Sequence, residues 1–147
     1  KQTITEDLVS PATPRALEVV VGGTAGDVKA GKVTIHGTNI AGLAISEEFT
    51  LTADTTETIA GVKAFKTVDK VEIPAQDGTG ATFTVGWINA LALPCAFEEK
   101  PLAFALFDGV REATDPTLAI DGDELEKNTI TLNSALAGKK VDIFLFY

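Results

Sequence analysis

The chain has no methionine, and it has one residue each of cysteine, histidine, tryptophan and tyrosine. Each scarcity removes some chemistry. A single thiol, Cys95, excludes a disulfide within the chain and any site built from several thiolates. Its setting, Leu93-Pro94-Cys95-Ala96-Phe97, is apolar and predicts a buried, inert side chain. A nucleophilic thiol needs a base nearby, and the only imidazole is His36. One histidine makes no zinc site unless carboxylates complete it, and strand alternation places His36 on the solvent side with Thr34. No G-x-S-x-G elbow and no G-x-G-x-x-G loop occur, so Gly22, Gly23 and Gly26 read as turn glycines. Long apolar runs are missing as well. The longest, Ile88 to Phe97, is too short to span a bilayer and contains Pro94, and no secretory leader is read.

Positive charge is also scarce. Twelve bases stand against 21 acids, a net charge of −9. Residues 1–93 carry 11 acids and 7 bases and residues 94–147 carry 10 acids and 5 bases, so the charge is spread and not gathered in a tail. A nucleic-acid binder needs a basic face to displace phosphate counterions, and an anionic membrane surface makes the same demand. Neither partner is expected. The acidity reads as solubility, or as a face for a basic partner.

What is present is β-forming sequence. At 147 residues the chain fits one domain, with 45% hydrophobic and 22% charged residues, a balance that excludes a disordered chain. Lys1 to Pro14 is polar, carries Pro11 and Pro14, and shows no sustained period. It reads as an extended N-terminal arm, mobile or laid against a neighbour. A β-domain follows over residues 15–147, in which residues 94–147 form either a second sheet or part of the first. Leu17 to Val21 is a first strand. Val33 and Ile35 alternate with Thr34 and His36. Leu43, Ile45, Phe49 and Leu51 share a face on which Glu47 intrudes. Together these two runs predict a hairpin with one dry face. Thr52 to Ala60 is Thr-rich and reads as a loop with at most one short edge strand.

Val62 to Trp87 is the best-patterned stretch. Ala64 to Thr67 and Lys70 to Ile73 are strand-like, Ala75 to Gly80 is a polar turn, and Phe83, Val85 and Trp87 share one face. Trp87 is expected to plug the core. Ile88 to Phe97 loses the alternation and reads as a crossover or subunit contact. Leu102 to Phe107 is a strand ended by Asp108-Gly109, a strong turn pair. Thr117 to Ile120 and Asn128 to Leu132 are short strands, and Gly138 marks a turn. The last strand, Val141 to Tyr147, is apolar on both faces, which predicts a sheet centre or an interface. About nine or ten strands at this spacing predict an all-β fold, an antiparallel β-sandwich or a small barrel.

Four carboxylates cluster between Asp121 and Glu126, namely Asp121, Asp123, Glu124 and Glu126. Oxygen clusters of this kind can take Ca²⁺, but the EF-hand spacing fails because Leu125 stands where a fifth-position ligand belongs. The default reading is a solvated turn. No residue is nominated as catalytic, cofactor-binding or metal-binding, and no cofactor is implied. Trp87 with Asn89 is the one local pair suited to a sugar.

The stretch Gly31 to Trp87 resembles a pattern in virion proteins of tailed bacteriophages. The likeness lies in V-T-I-x-G-T at Val33 to Thr38, G-x-K-A-F-K-T-V at Gly61 to Val68, and I-P-A…G-T-G…V-G-W at Ile73 to Trp87. Asp108 to Leu136 is similar to the end of the same proteins. The resemblance implies a non-enzymatic structural protein of the phage particle. Its first form is a capsid decoration, or cement, protein on the outer surface of the virion that stabilises the shell. A tail or baseplate component is the second form. The implied partners are the major capsid protein and copies of the chain itself, with a trimer favoured.

Overall fold

The computed structural model describes residues 1–146; Tyr147, which the sequence assigns to the last strand, lies outside the described residues. The fold is all-β, and every strand pairing is antiparallel. Twelve strands form among the described residues: β1 (Gln2–Ile4), β2 (Arg15–Gly23), β3 (Gly31–Thr38), β4 (Ala44–Leu51), β5 (Glu57–Phe65), β6 (Thr67–Ile73), β7 (Ala81–Ala92), β8 (Leu102–Phe107), β9 (Val110–Arg111), β10 (Thr117–Ala119), β11 (Thr129–Thr131) and β12 (Val141–Phe146). They build sheets of order β1-β6-β3-β4, β10-β11-β7-β2-β5 and β12-β8-β9.

The first two sheets share one apolar core. Every second residue of β2 (Leu17, Val19, Val21) meets Val33 and Ile35 of β3, Phe49 and Leu51 of β4, and Val68, Val71 and Ile73 of β6. Burying each such side chain contributes about 1.5–3 kcal/mol before ordering costs. A second core lies under the small sheet, where Leu91, Leu93, Phe97, Ala105, Phe107, Leu118, Ile130 and Leu132 are buried. β7 serves both: Phe83 and Val85 pack on the first core and Leu91 on the second.

Several turns carry their expected chemistry. Asn39 opens the β3–β4 turn, its Oδ1 accepting the amides of Ala41 and Leu43, with Gly42 at φ +82°. Asp108 and Gly109 both have positive φ, as a two-residue hairpin turn requires. The Pro74–Gly80 connection links strands of different sheets. Asp27 anchors it: Oδ2 accepts Gly80 N at 2.7 Å, and its carbonyl accepts Asp77 N at 3.1 Å. A side chain at Gly78 would collide with this carboxylate.

Other expectations are corrected. The Thr52 to Ala60 segment is not a loop throughout, because β5 begins at Glu57 and pairs along β2. Ile88 to Phe97 is not a crossover throughout either, since β7 runs on to Ala92 where β11 pairs with it. In the N-terminal segment, Gln2–Ile4 pairs with Val71–Ile73 of the chain's own β6. Leu43, placed on the dry face by alternation, precedes β4 in the turn and is exposed. The apolar last strand is not a sheet centre: β12 is an edge, and Phe144 and Phe146 are exposed on the single chain. Trp87 is not a core plug, being 43% exposed. Cys95 is exposed as well, because only Leu93 and Phe97 of its segment turn inward.

Candidate interaction surfaces

The two flanks where the large sheets meet differ in construction. On one flank β4 lies beside β5. Glu47, the intruder on the apolar face of β4, accepts Val62 N at 2.6 Å and Lys63 N at 3.3 Å. Gly61 leaves room for the carboxylate, since a Cβ there would sit 2.5 Å from Oε2. Burial pushes the Glu47 pKa up, and the two amides and the Lys63 charge offset this only in part.

The acidic cluster read from sequence completes this flank. Lys63 Nζ reaches Glu124 at 3.1 Å and Glu126 at 3.3 Å, and Asn39 Nδ2 donates to Glu126 at 3.3 Å. Burial opposes the Lys63 charge, but hydrogen bonds to the two carboxylates outweigh it and raise the pKa. Glu124 is held below the ordinary carboxylate range by Lys127 first and Lys63 second. Asp121 is lowered by the amides of Glu124 and Asp123, which both donate to its Oδ1. Three of the four carboxylates therefore have structural partners within the fold.

Asn128, fully buried, supports the 3-10 turn Leu125–Lys127 that presents Glu124 and Glu126. Its Oδ1 accepts Phe97 N and Asp121 N, and its Nδ2 donates to the carbonyls of Asp121 and Glu124. Nothing in the sequence marks this residue beyond an asparagine beside a strand.

On the opposite flank β1 and β6 face the first half of β7, and no hydrogen bond crosses between them among the described residues. A groove of about 670 Å³ opens there. Its floor is apolar, with Val19, Val33, Val71, Phe83 and Val85, and Trp87 stands at its side. Glu6 and Asp7 line it with no base among the lining residues. Asp7 holds φ +57°, a left-handed turn that aspartate tolerates, and Leu8 just after it packs on the first core.

A third feature is the outer face of the small sheet. Phe104 of β8 stacks on Phe144 with centroids 4.8 Å apart and on Phe146 at 5.7 Å. The Arg111 guanidinium lies 4.8 Å from the Phe104 ring centre. Leu102, 78% exposed and paired with Phe146 in register, extends this apolar face.

The remaining flagged residues stand apart from these features. His36, expected to face solvent, is half-buried between Ser46 of β4 and Lys70 of β6 in register, and its Nε2 has no hydrogen-bond partner among the described residues. Asn89 uses its Nδ2 on the carbonyls of Leu132 and Ser134. Among the described residues no three His, Cys, Asp or Glu side chains are grouped to hold a metal ion, and no helix is long and apolar enough to cross a membrane. Compared with protein-family models, curated proteins and solved structures, the chain matches none of them.

Proposed function

We propose that this protein is a non-catalytic structural component of a tailed-phage particle, a decoration protein that binds the outside of the capsid and stabilises it. The fold in this reading is a β-sandwich, with residues 1–14 as its N-terminal arm. The partners are the major capsid protein and further copies of the chain, arranged as a trimer.

The observation that carries the reading is the aromatic face of the small sheet. A stacked row of Phe104, Phe144 and Phe146, flanked by exposed Leu102, sits on a sheet whose edge strand β12 pairs on one side only. Contiguous apolar surface of this kind marks a place where protein meets protein, and an uncovered edge invites strand pairing. The likeness of Gly31 to Trp87 to virion proteins supplies the kind of assembly. The tail or baseplate alternative uses the same surfaces and differs only in where the protein sits.

The test adds purified protein to capsids that lack it. Cosedimentation of the wild type, with loss of binding in a folded Phe144→Ser/Phe146→Ser variant, is expected. A monomer in solution that leaves such capsids bare contradicts the proposal. An image of the intact particle separates capsid from tail.

A second reading has its own observation. Trp87 is exposed beside a groove bearing two carboxylates that join no ion pair among the described residues, an arrangement that suits a carbohydrate or receptor ligand. Asn89, the polar partner such a site needs, is already bonded to two carbonyls. Glycan-array binding abolished by Trp87→Ala in a folded protein favours this reading; an unchanged, blank array removes it.

A further inference from the structure

We propose that the open flank is a strand-binding site: an extended, basic segment of a partner protein pairs with the free edge of β7 and sends alternate apolar side chains into the groove. The proposal stands apart from the virion reading, because it rests on this flank alone.

Three features of the flank converge on that occupant. The first is the edge. Ala81 to Trp87 of β7 pair with β2 on one side, whereas among the described residues β11 pairs only with Ala90, Leu91 and Ala92 on the other. Among the described residues, the β11-side edge of β7 takes its first backbone bond at Asn89, whose carbonyl accepts Leu132 N. The edge before it is a stretch of unmatched amides and carbonyls, which is what strand addition requires. Thr84 lines the groove although Thr82 and Thr84 alternate away from Phe83 and Val85, so the groove reaches the backbone of β7 itself.

The second is the floor. A strand laid along this edge alternates its side chains, and every second one faces Val19, Val33, Val71, Phe83 and Val85. The groove's volume accommodates several aliphatic side chains. The third is charge. Glu6 and Asp7 are exposed, take part in no ion pair among the described residues, and have no basic neighbour in the lining. A chain of net charge −9 adds to the preference for a cationic partner. Trp87 caps the floor where a bound strand would cover its ring.

The probe is a synthetic peptide of alternating valine and lysine, about eight residues long to match the free edge. The readout is emission from the single tryptophan of the intact chain. The lysine peptide is expected to shift Trp87 emission to the blue, saturably. The same peptide with glutamate in place of lysine is expected to bind on the order of tenfold more weakly. Methylating the alternate backbone amides that face β7 is expected to abolish binding. A Glu6→Lys/Asp7→Lys variant, altered only at exposed positions, is expected to reverse the preference and bind the glutamate peptide.

Four results would overturn the proposal: no emission change with the lysine peptide, indifference to amide methylation, an unchanged preference in the charge-reversed variant, or a response to dodecylammonium but not to peptide. The last result assigns the groove to a cationic amphiphile. All of these are read on the isolated chain, so failure here leaves capsid binding through the aromatic face untouched, and failure there leaves this flank untouched.

Discussion

Where β4 meets β5, a carboxylate, a lysine and a 3-10 turn join the two large sheets; where β1 and β6 face β7, the same sheets stand apart over an apolar groove. The first flank spends its polar groups inside the fold. Glu47 takes the amides of Val62 and Lys63, and Lys63 takes Glu124 and Glu126. The second leaves its strand edge and its two acids unmatched among the described residues. A sheet edge can thus be silenced from within by one well-placed side chain, and the edge without such a side chain is the one available to a partner.

The largest expected effect is at the base of the closed flank. Asn128→Ala removes the acceptor shared by the amides of Phe97 and Asp121 and releases the 3-10 turn. Four hydrogen bonds go with this side chain, and at roughly 1–3 kcal/mol for each in a buried setting the variant should lose about 5 kcal/mol or more in denaturant unfolding. Next comes a contrast of two phenylalanines. Phe49→Ala removes a fully buried ring on the closed side and should cost about 3–5 kcal/mol. Phe83→Ala removes a half-buried ring that lines the open groove, and should cost well under half of that. Equal losses would erase the distinction between the flanks.

Smaller effects follow at Glu47. Glu47→Ala should cost about 1–2 kcal/mol, because two edge amides lose their acceptor to partial hydration. Gly61→Ala should do comparable damage by pushing the carboxylate out. Glu47→Gln keeps an acceptor and should be nearly neutral at pH 7. The pH dependence sharpens this. The folded pKa of Glu47 is raised, so the native state binds the extra proton and Glu47 favours folding more as pH falls through that raised value. Glu124 acts in the opposite sense: its folded pKa is lowered, so its contribution is present above the ordinary carboxylate range and is lost as pH falls through the lowered value. Lys63, raised, contributes below the ordinary lysine range and loses its contribution as pH rises through its folded value. Thermal melts against pH should therefore show a mildly acidic gain that Glu47→Gln lacks. The smallest effect is Trp87→Ala, which should change stability by about 1 kcal/mol or less at so exposed a position.

Much of the architecture was legible where one face is dry. The alternation of Val33 and Ile35, of Phe49 and Leu51, and of Phe83 and Val85 marks the inward faces, and Asp108-Gly109 marks its hairpin. β5 was hidden because its inner face carries Gly61 and Lys63 in place of apolar residues, and both answer to Glu47 across the flank. The intruding Glu47 on β4 was the available sign of this pairing, one polar inner residue implying another opposite. The acidic run from Asp121 to Glu126 was visible, but its partner Lys63 lies far along the chain, and sequence spacing carries no record of such a contact. Alternation puts Trp87 on the inner face of its strand with Phe83 and Val85, opposite Leu17 in register. Its exposure depends on how far β1, only three residues long, reaches over the groove. The same limit applies to β12, whose two apolar faces are plain in sequence although the absence of a cover over one of them is not.

Amide hydrogen exchange of the free chain tests the contrast between the flanks most directly. Val62 and Lys63 amides should be protected by Glu47. Along residues 82–88 of β7, alternate amides should exchange fast while those bonded to β2 stay protected, and the fast set should slow when the valine–lysine peptide is added. Uniform protection along this stretch of β7 in the free chain, or unprotected amides at Val62 and Lys63, would contradict the account.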